Sequence, residues 1–235
     1  MGAEGLKRLG QELLELSSLV EALRAPNGCP WDREQTPETM RVYLMEEMHE
    51  LVESIDAASS LGVREELGDV LFQVFFLARI FEERGLFSLA DVANGAVAKM
   101  KARHPHVFGE ASVKDAEEVR RRWHEFKAQA ADKKKSQGPF DSIPKSLPAL
   151  MRAYRVAERA GRVGLGPVPE SAGGLQERWQ DFQTKAAQKD EPGAQRALGE
   201  FLFAVALLAR EAGVHPETAL ARAVNEFIAG SGPGA

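Results

Sequence analysis

The sequence predicts an all-α fold, on three observations. Apolar residues recur at spacings of three and four. No stretch alternates with the period of two that a half-buried strand needs. Helix-starting and helix-stopping residues punctuate the chain at helical lengths. A first helix runs from about Leu6 to Leu23 and stops before the loop Ala25-Pro26-Asn27-Gly28-Cys29-Pro30. Thr36 followed by Pro37 is an N-cap and first-turn pair, opening a second helix to about Ala58. The turn Ser59-Ser60-Leu61-Gly62 leads to a third helix from about Val63 to Arg84, with Gly85 as its stop. Ser88, with Asp91 three residues on, caps a fourth, and a fifth covers about Asp115 to Gln129. The polar, broken stretch from Asp132 to Pro139 reads as a linker. Three or four further helices follow, and Ser231 to Ala235 is a frayed end.

A chain of 235 residues allows one large domain or two modest ones. With 44% hydrophobic and 28% charged residues it has an ordinary globular balance. The N-terminus is charged and amphipathic, unlike a signal peptide or an anchor. The longest apolar run, Val70 to Phe81, is broken by Gln73 and Arg79 and is too short to span a bilayer. The single cysteine, Cys29, excludes an internal disulfide and fits a reducing cytoplasm. The net charge of -5 argues against a nucleic-acid surface. An acidic protein that handles phosphates needs a cation to bridge the two negative partners.

The two halves match under a shift of 131 residues. It places Leu67-Gly68 on Leu198-Gly199, Leu71-Phe72 on Leu202-Phe203, Val74 on Val205 and Leu77-Ala78-Arg79 on Leu208-Ala209-Arg210. It also places Glu46 on Glu177 without a gap, as a tandem repeat would.

The second helix carries Glu46, Glu47 and Glu50, and the third carries Glu66 and Asp69. Residues three apart share a helix face, so Glu47 pairs with Glu50 and Glu66 with Asp69. The midpoint of 50 and 66 is position 58, and so is that of 47 and 69. If the helices fold back as a hairpin, Glu50 faces Glu66 and Glu47 faces Asp69. Eight residues at helical rise put the first pair roughly 12 Å from the turn. Most glutamates form solvated helix faces, but the run VLFQVFFLARIF after Asp69 is apolar on nearly all sides. The third helix is therefore expected to be buried, with Asp69 at the edge of a core, where an acid must be paired or metal-bound. Converging carboxylates need protons or a cation. An all-oxygen set selects Mg²⁺ or Mn²⁺ over zinc. The same apolar helix is more than one hairpin can cover, so a second subunit or the other repeat must bury part of it, and a homodimer is expected.

The acidic pattern EExxE (Glu46, Glu47, Glu50) followed by ExxD inside EELGD (Glu65 to Asp69) resembles the signature of the MazG group of all-α nucleoside triphosphate pyrophosphohydrolases. NGCPWDREQT (Asn27 to Thr36), KMKARHPHVFGE (Lys99 to Glu110) and WHEFK (Trp123 to Lys127) each resemble a stretch of its long form. IPKSLPALMRAYRVAERAGRVG (Ile143 to Gly164) resembles the opening of that family's second repeat. The resemblance implies tandem helical-bundle repeats of four to five helices each. Residues 1–130 would be the catalytic repeat, 131–145 a linker and 146–235 a degenerate repeat. It implies cleavage of a nucleoside triphosphate, canonical or aberrant, between the α and β phosphates, giving monophosphate and pyrophosphate. Glu47, Glu50, Glu66 and Asp69 would be the metal ligands, holding Mg²⁺ (or Mn²⁺) to polarise the phosphorus and activate water. Glu46 would orient a ligand or act as the base. Lys99 and Arg103, four apart on one face, would meet the triphosphate. Trp31 and Trp123 are either core or base platforms, with Asp32, Gln35, Tyr43 and Lys127 completing the substrate-binding set. His104-Pro105-His106 is weak evidence for a transition-metal site, and Cys29 reads as structural.

The second half departs from the pattern. Under the shift Glu47 meets Arg178, Glu50 meets Asp181, Glu66 meets Ala197 and Asp69 meets Glu200. Lys99 has no basic counterpart, since Glu226 falls near that place after a small gap. Two rival functions stay open at this stage. One is a non-catalytic regulatory or scaffold module that keeps the fold; the other is a house-cleaning enzyme specific for one modified base.

Overall fold

The computed structural model describes residues 2–132, 138–164 and 172–231, all of whose regular structure is helical. Residues 133–137 of the expected linker and 232–235 of the expected frayed end lie outside the described residues. The chain divides into two compact units, Met1–Val119 and Arg120–Ala235. Among the described residues no helix is long and apolar enough to cross a membrane.

The first unit holds α1 (Ala3–Arg24), α2 (Pro30–Glu34), α3 (Pro37–Asp56), α4 (Ser60–Glu83), α5 (Leu89–Arg103) and α6 (Pro105–Phe108). α7 (Ala116–Asp132) begins in it and crosses the boundary. Thr36 caps α3, and Ser88 with Asp91 closes a reciprocal capping box on α5. Two short helices replace expected loop. α2 forms because Pro30 at its first position needs no backbone N–H partner, and α6 starts on Pro105 for the same reason. α3 and α4 pack as a hairpin, α1 packs across α4, and α5 packs on α4. The core is Val20, Met40, Phe75, Phe76 and Ile80, flanked by Leu13, Leu16, Tyr43, Phe72, Leu77 and Leu89.

α4 begins three residues before the expected Val63, because Ser59 is its cap. The Ser59 hydroxyl accepts from the Gly62 N–H at 3.1 Å, so the expected turn is the helix's own first turn. Ala58 takes the reversal with φ 53°. A Cβ on Gly62 would lie 2.7 Å from Ser54 Oγ, so glycine is what lets the helices close. The expectation that this helix is buried, with Asp69 at the edge of a core, holds for one face of α4 only. Phe75, Phe76, Ala78 and Ile80 are buried, but Leu67, Leu71 and Val74 form an exposed stripe, and Asp69 is exposed. The apolar run is wider than the face that α1 and α3 cover.

The second unit holds α8 (Ala149–Arg162), α9 (Ala172–Ala187), α10 (Glu191–Glu211) and α11 (Pro216–Gly230), with α9 and α10 as its hairpin. Its turn reproduces the first hairpin at an offset of 131. Lys189 has φ 57°, as Ala58 has 53°. The Asp190 carboxylate accepts from Gly193 N–H at 3.1 Å, as Ser59 does from Gly62. The bonds Ser59 N–H to Ser54 O (3.0 Å) and Ala58 N–H to Ile55 O (3.0 Å) recur as Asp190 to Lys185 (3.1 Å) and Lys189 to Ala186 (3.1 Å). α10 is shorter than α4 by about one turn, with 21 residues against 24.

Candidate active site

The α3–α4 hairpin brings acids together. One oxygen each of Glu47, Glu66 and Asp69 lie within 4.8 Å of one another. Glu66 and Asp69 are one turn apart on α4, and Glu47 reaches them from α3. Asp69 weighs most among the charges on Glu47, and Glu50 most among those on Glu66. This is the cross-helix pairing that mirror spacing about position 58 predicts. Glu50 itself stands outside the trio. With Glu46 it lines an open cleft of about 420 Å³ beside Arg41, Val42, Met45 and His49.

Two features mark the trio as unbalanced without a cation. Burial, then the charges of Asp69 and Glu50, push the Glu47 carboxyl above its ordinary range. Glu66 is raised by burial, then by Glu50 and Asp69. Glu66 Oε2 is also fully buried with no hydrogen-bond partner among the described residues, a costly state for a carboxylate oxygen. A hard cation would satisfy it, and the oxygen-only donor set fits one.

Gln73, read from the sequence only as an interruption of an apolar run, is 6% exposed and stands near enough to Glu47 to offset part of the rise in its carboxyl. Its Oε1 is buried without a partner among the described residues. The one polar residue inside VLFQVFF was the available signal. Arg41, on the cleft with Glu46, was also missed, because one charge on an exposed helix carries no signal.

Trp31 is 55% exposed and meets Tyr43 edge-on, with ring centroids 5.6 Å apart. It is a surface ring, not core. Asp32 and Gln35, on the same segment, are buried. The Gln35 amide donates to Trp31 O at 3.0 Å, and its oxygen accepts from Thr39 Oγ1 at 2.7 Å. Gln35 therefore serves the loop itself. Lys99 is exposed and Arg103 half-buried, one turn apart on α5. The rings of His104 and His106 lie 5.6 Å apart, and His104 Nδ1 is 2.7 Å from Met100 O, a helix-end contact. Cys29 caps α2 and donates its N–H to Leu23 O at 2.9 Å. Trp123 is half-buried on α7 in the second unit, and the side chain of Lys127 lies outside the described residues.

The second unit presents different chemistry at the matching positions. Arg178, where Glu47 would stand, is 3.5 Å from Glu200, where Asp69 would stand. Ala197, in place of Glu66, is buried. A guanidinium lies between the helices where the first unit gathers anions.

A family profile described as a MazG nucleotide pyrophosphohydrolase domain matches residues 35–108. The chain is 37% identical over 220 residues to the nucleoside triphosphate pyrophosphohydrolase of Escherichia coli K12, covering 90% of this chain and 82% of that one. It is 38% identical over 223 residues to the nucleoside triphosphate pyrophosphohydrolase/pyrophosphatase MazG of Thermotoga maritima, covering 95% and 85%. A solved structure of a mazG-related protein from Thermotoga maritima aligns with TM-score 0.42 and 26% identity, over 48% of this chain and 97% of that one.

Proposed function

The chain belongs to the MazG family, and we propose that it hydrolyses nucleoside triphosphates between the α and β phosphates, with Mg²⁺ held by its first unit. Glu47, Glu66 and Asp69 would hold the cation, with Glu50, one turn on along α3, as a further ligand. Mg²⁺, or Mn²⁺ in its place, would supply positive charge to the phosphates and make an attacking water more acidic. Glu46, beside Glu50 on the cleft, accepts that water's proton. Lys99 and Arg103 take the triphosphate, since an ammonium and a guanidinium offset its charge. Trp31 and Tyr43 receive the base. The observation that carries the reading is the trio of acids within 4.8 Å, inside the segment that matches the family. The second unit is read as a repeat that keeps the hairpin and lacks the site. The exposed stripe Leu67, Leu71 and Val74 supports a homodimer.

The test is product analysis. Incubated with ATP and Mg²⁺, the protein is expected to release AMP and pyrophosphate in equal amounts, and to release neither in EDTA. Orthophosphate with ADP would overturn the assignment of the cleaved bond.

The cation should also appear in the thermodynamics. Glu47 and Glu66 are raised, so their charged forms oppose folding above the raised values. That penalty is relieved as pH falls through them, and it is absent below the ordinary carboxylate range. Glu83, lowered by its hydrogen bonds from Arg24, pulls the other way, so the quantity to read is the change in Tm on adding Mg²⁺. Scanning calorimetry is expected to show a large increment near neutrality that shrinks toward about pH 5 as protons displace the metal. An increment that stayed constant across that range would count against carboxylate ligation.

A further inference from the structure

α1 ends on Arg24, whose charged side chain is only 8% exposed. Its guanidinium serves three neighbours at once. Nε lies 3.0 and 3.1 Å from the two oxygens of Glu83, and Nη2 donates to Glu83 Oε2 at 2.7 Å. Nη1 donates to the backbone carbonyls of Asp32 at 2.6 Å and Gln35 at 3.3 Å. Its Cζ lies over the Phe76 ring, 5.3 Å from the centroid. Arg79 approaches the same Glu83 carboxylate at 3.3 Å. A buried charge is costly unless geometry and partners are good, and the arginine fork meets that demand with a carboxylate.

What distinguishes this arginine is where its other donors go. The carbonyls of Asp32 and Gln35 belong to the end of α2, where the Asp32 carbonyl also accepts from the Gln35 N–H at 3.3 Å. The segment they anchor carries Trp31. From there Gln35 fastens back to Trp31 O and forward to Thr39 in the first turn of α3. The result is a chain from exposed Glu83 through the shielded Arg24 guanidinium and buried Gln35 to exposed Thr39, on the segment that carries the exposed tryptophan ring. That ring touches Tyr43, which stands one helical turn before Glu46 and Glu47. An exposed indole whose backbone is fixed by Gln35 and whose ring meets Tyr43 is arranged to meet something flat.

We propose that Arg24 is a positioning residue for the nucleoside end of the substrate, fixing Trp31 as a stacking platform through the carbonyls of Asp32 and Gln35. This rests on the reading that the first unit binds nucleoside triphosphates. Arg24 acts on the base and not on the phosphates, so its loss should discriminate between ligands that have a base and ligands that do not. A general loosening of the fold would not.

Titration calorimetry with Mg²⁺ can separate these outcomes, using α,β-methylene-ATP and inorganic tripolyphosphate as probes of the full-length protein. Arg24→Lys keeps the charge but cannot serve a carboxylate and two carbonyls together. It is expected to weaken the nucleotide analogue about tenfold, the scale of a lost stacking contact, and tripolyphosphate by less than about twofold. Trp31→Ala should show the same selectivity, and the double variant should bind no more weakly than Trp31→Ala alone, because both changes remove one platform. Glu83→Gln loosens Arg24 from its other side and should give the same selectivity at smaller size, which covers the case in which Arg24→Lys does not fold. Equal weakening of both probes, additive losses, or unchanged nucleotide affinity would overturn the positioning role while leaving the proposed function standing. A parent protein that binds neither probe would overturn the proposed function, and this role with it.

Discussion

Asp69→Ala is expected to slow pyrophosphate release from ATP at least about a hundredfold, roughly 2.7 kcal/mol of barrier. Asp69 supplies one of the three oxygens that converge within 4.8 Å, so on the proposed reading its removal would leave a bound cation with fewer anchors. The loss should be catalytic and not structural. Asp69 is exposed, and it raises the Glu47 carboxyl by like-charge repulsion. Deleting it relieves the metal-free fold, so Tm in EDTA should hold or rise while activity collapses. Glu50→Ala, taken from outside the trio but acting on Glu66, should fall on the same scale. Near-parental turnover in either variant would mean that these acids are not the ligands, and Asp69→Asn separates loss of charge from loss of shape.

The Glu47→Ala, Asp69→Ala double variant is expected to have no measurable activity, although the second unit is intact. That unit holds an ion pair of Arg178 with Glu200 at 3.5 Å in place of two ligands, and buried Ala197 in place of a third. A fixed cation repels a mobile one, and Glu200 is already engaged. The variant should remain as helical as its parent by circular dichroism and keep its parent's oligomeric state, the proposed dimer, by light scattering. A monomeric parent at micromolar concentration would count against the homodimer. Residual turnover that vanished on changing Asp181 or Glu200 would show the second unit to be catalytic.

The helices, their caps and the facing acids were legible because each depends on residues close in sequence. Thr36 and Ser88 cap helices through residues three positions on. The pairing of Glu47 with Asp69 follows from a turn whose position two spacings agree on. The start of α4 was misjudged by one turn because Ser59 could be read equally as turn or cap, and only the hydrogen bond to Gly62 distinguishes them.

Periodicity alone establishes that α4 is apolar around its circumference, but not which sides are covered. Coverage depends on where α1 and α3 dock, and that left Leu67, Leu71 and Val74 exposed while burying Gln73. The Arg24 clamp was equally invisible, since its carboxylate partner is 59 residues away and its other partners are backbone carbonyls that no side-chain pattern encodes. Local spacing, acting through helical geometry and short turns, determined which residues could form the acid cluster. Long-range packing decided which polar groups lost their water, and so which carboxylate oxygen is buried without a hydrogen-bond partner and which arginine reaches the carbonyls at α2's end.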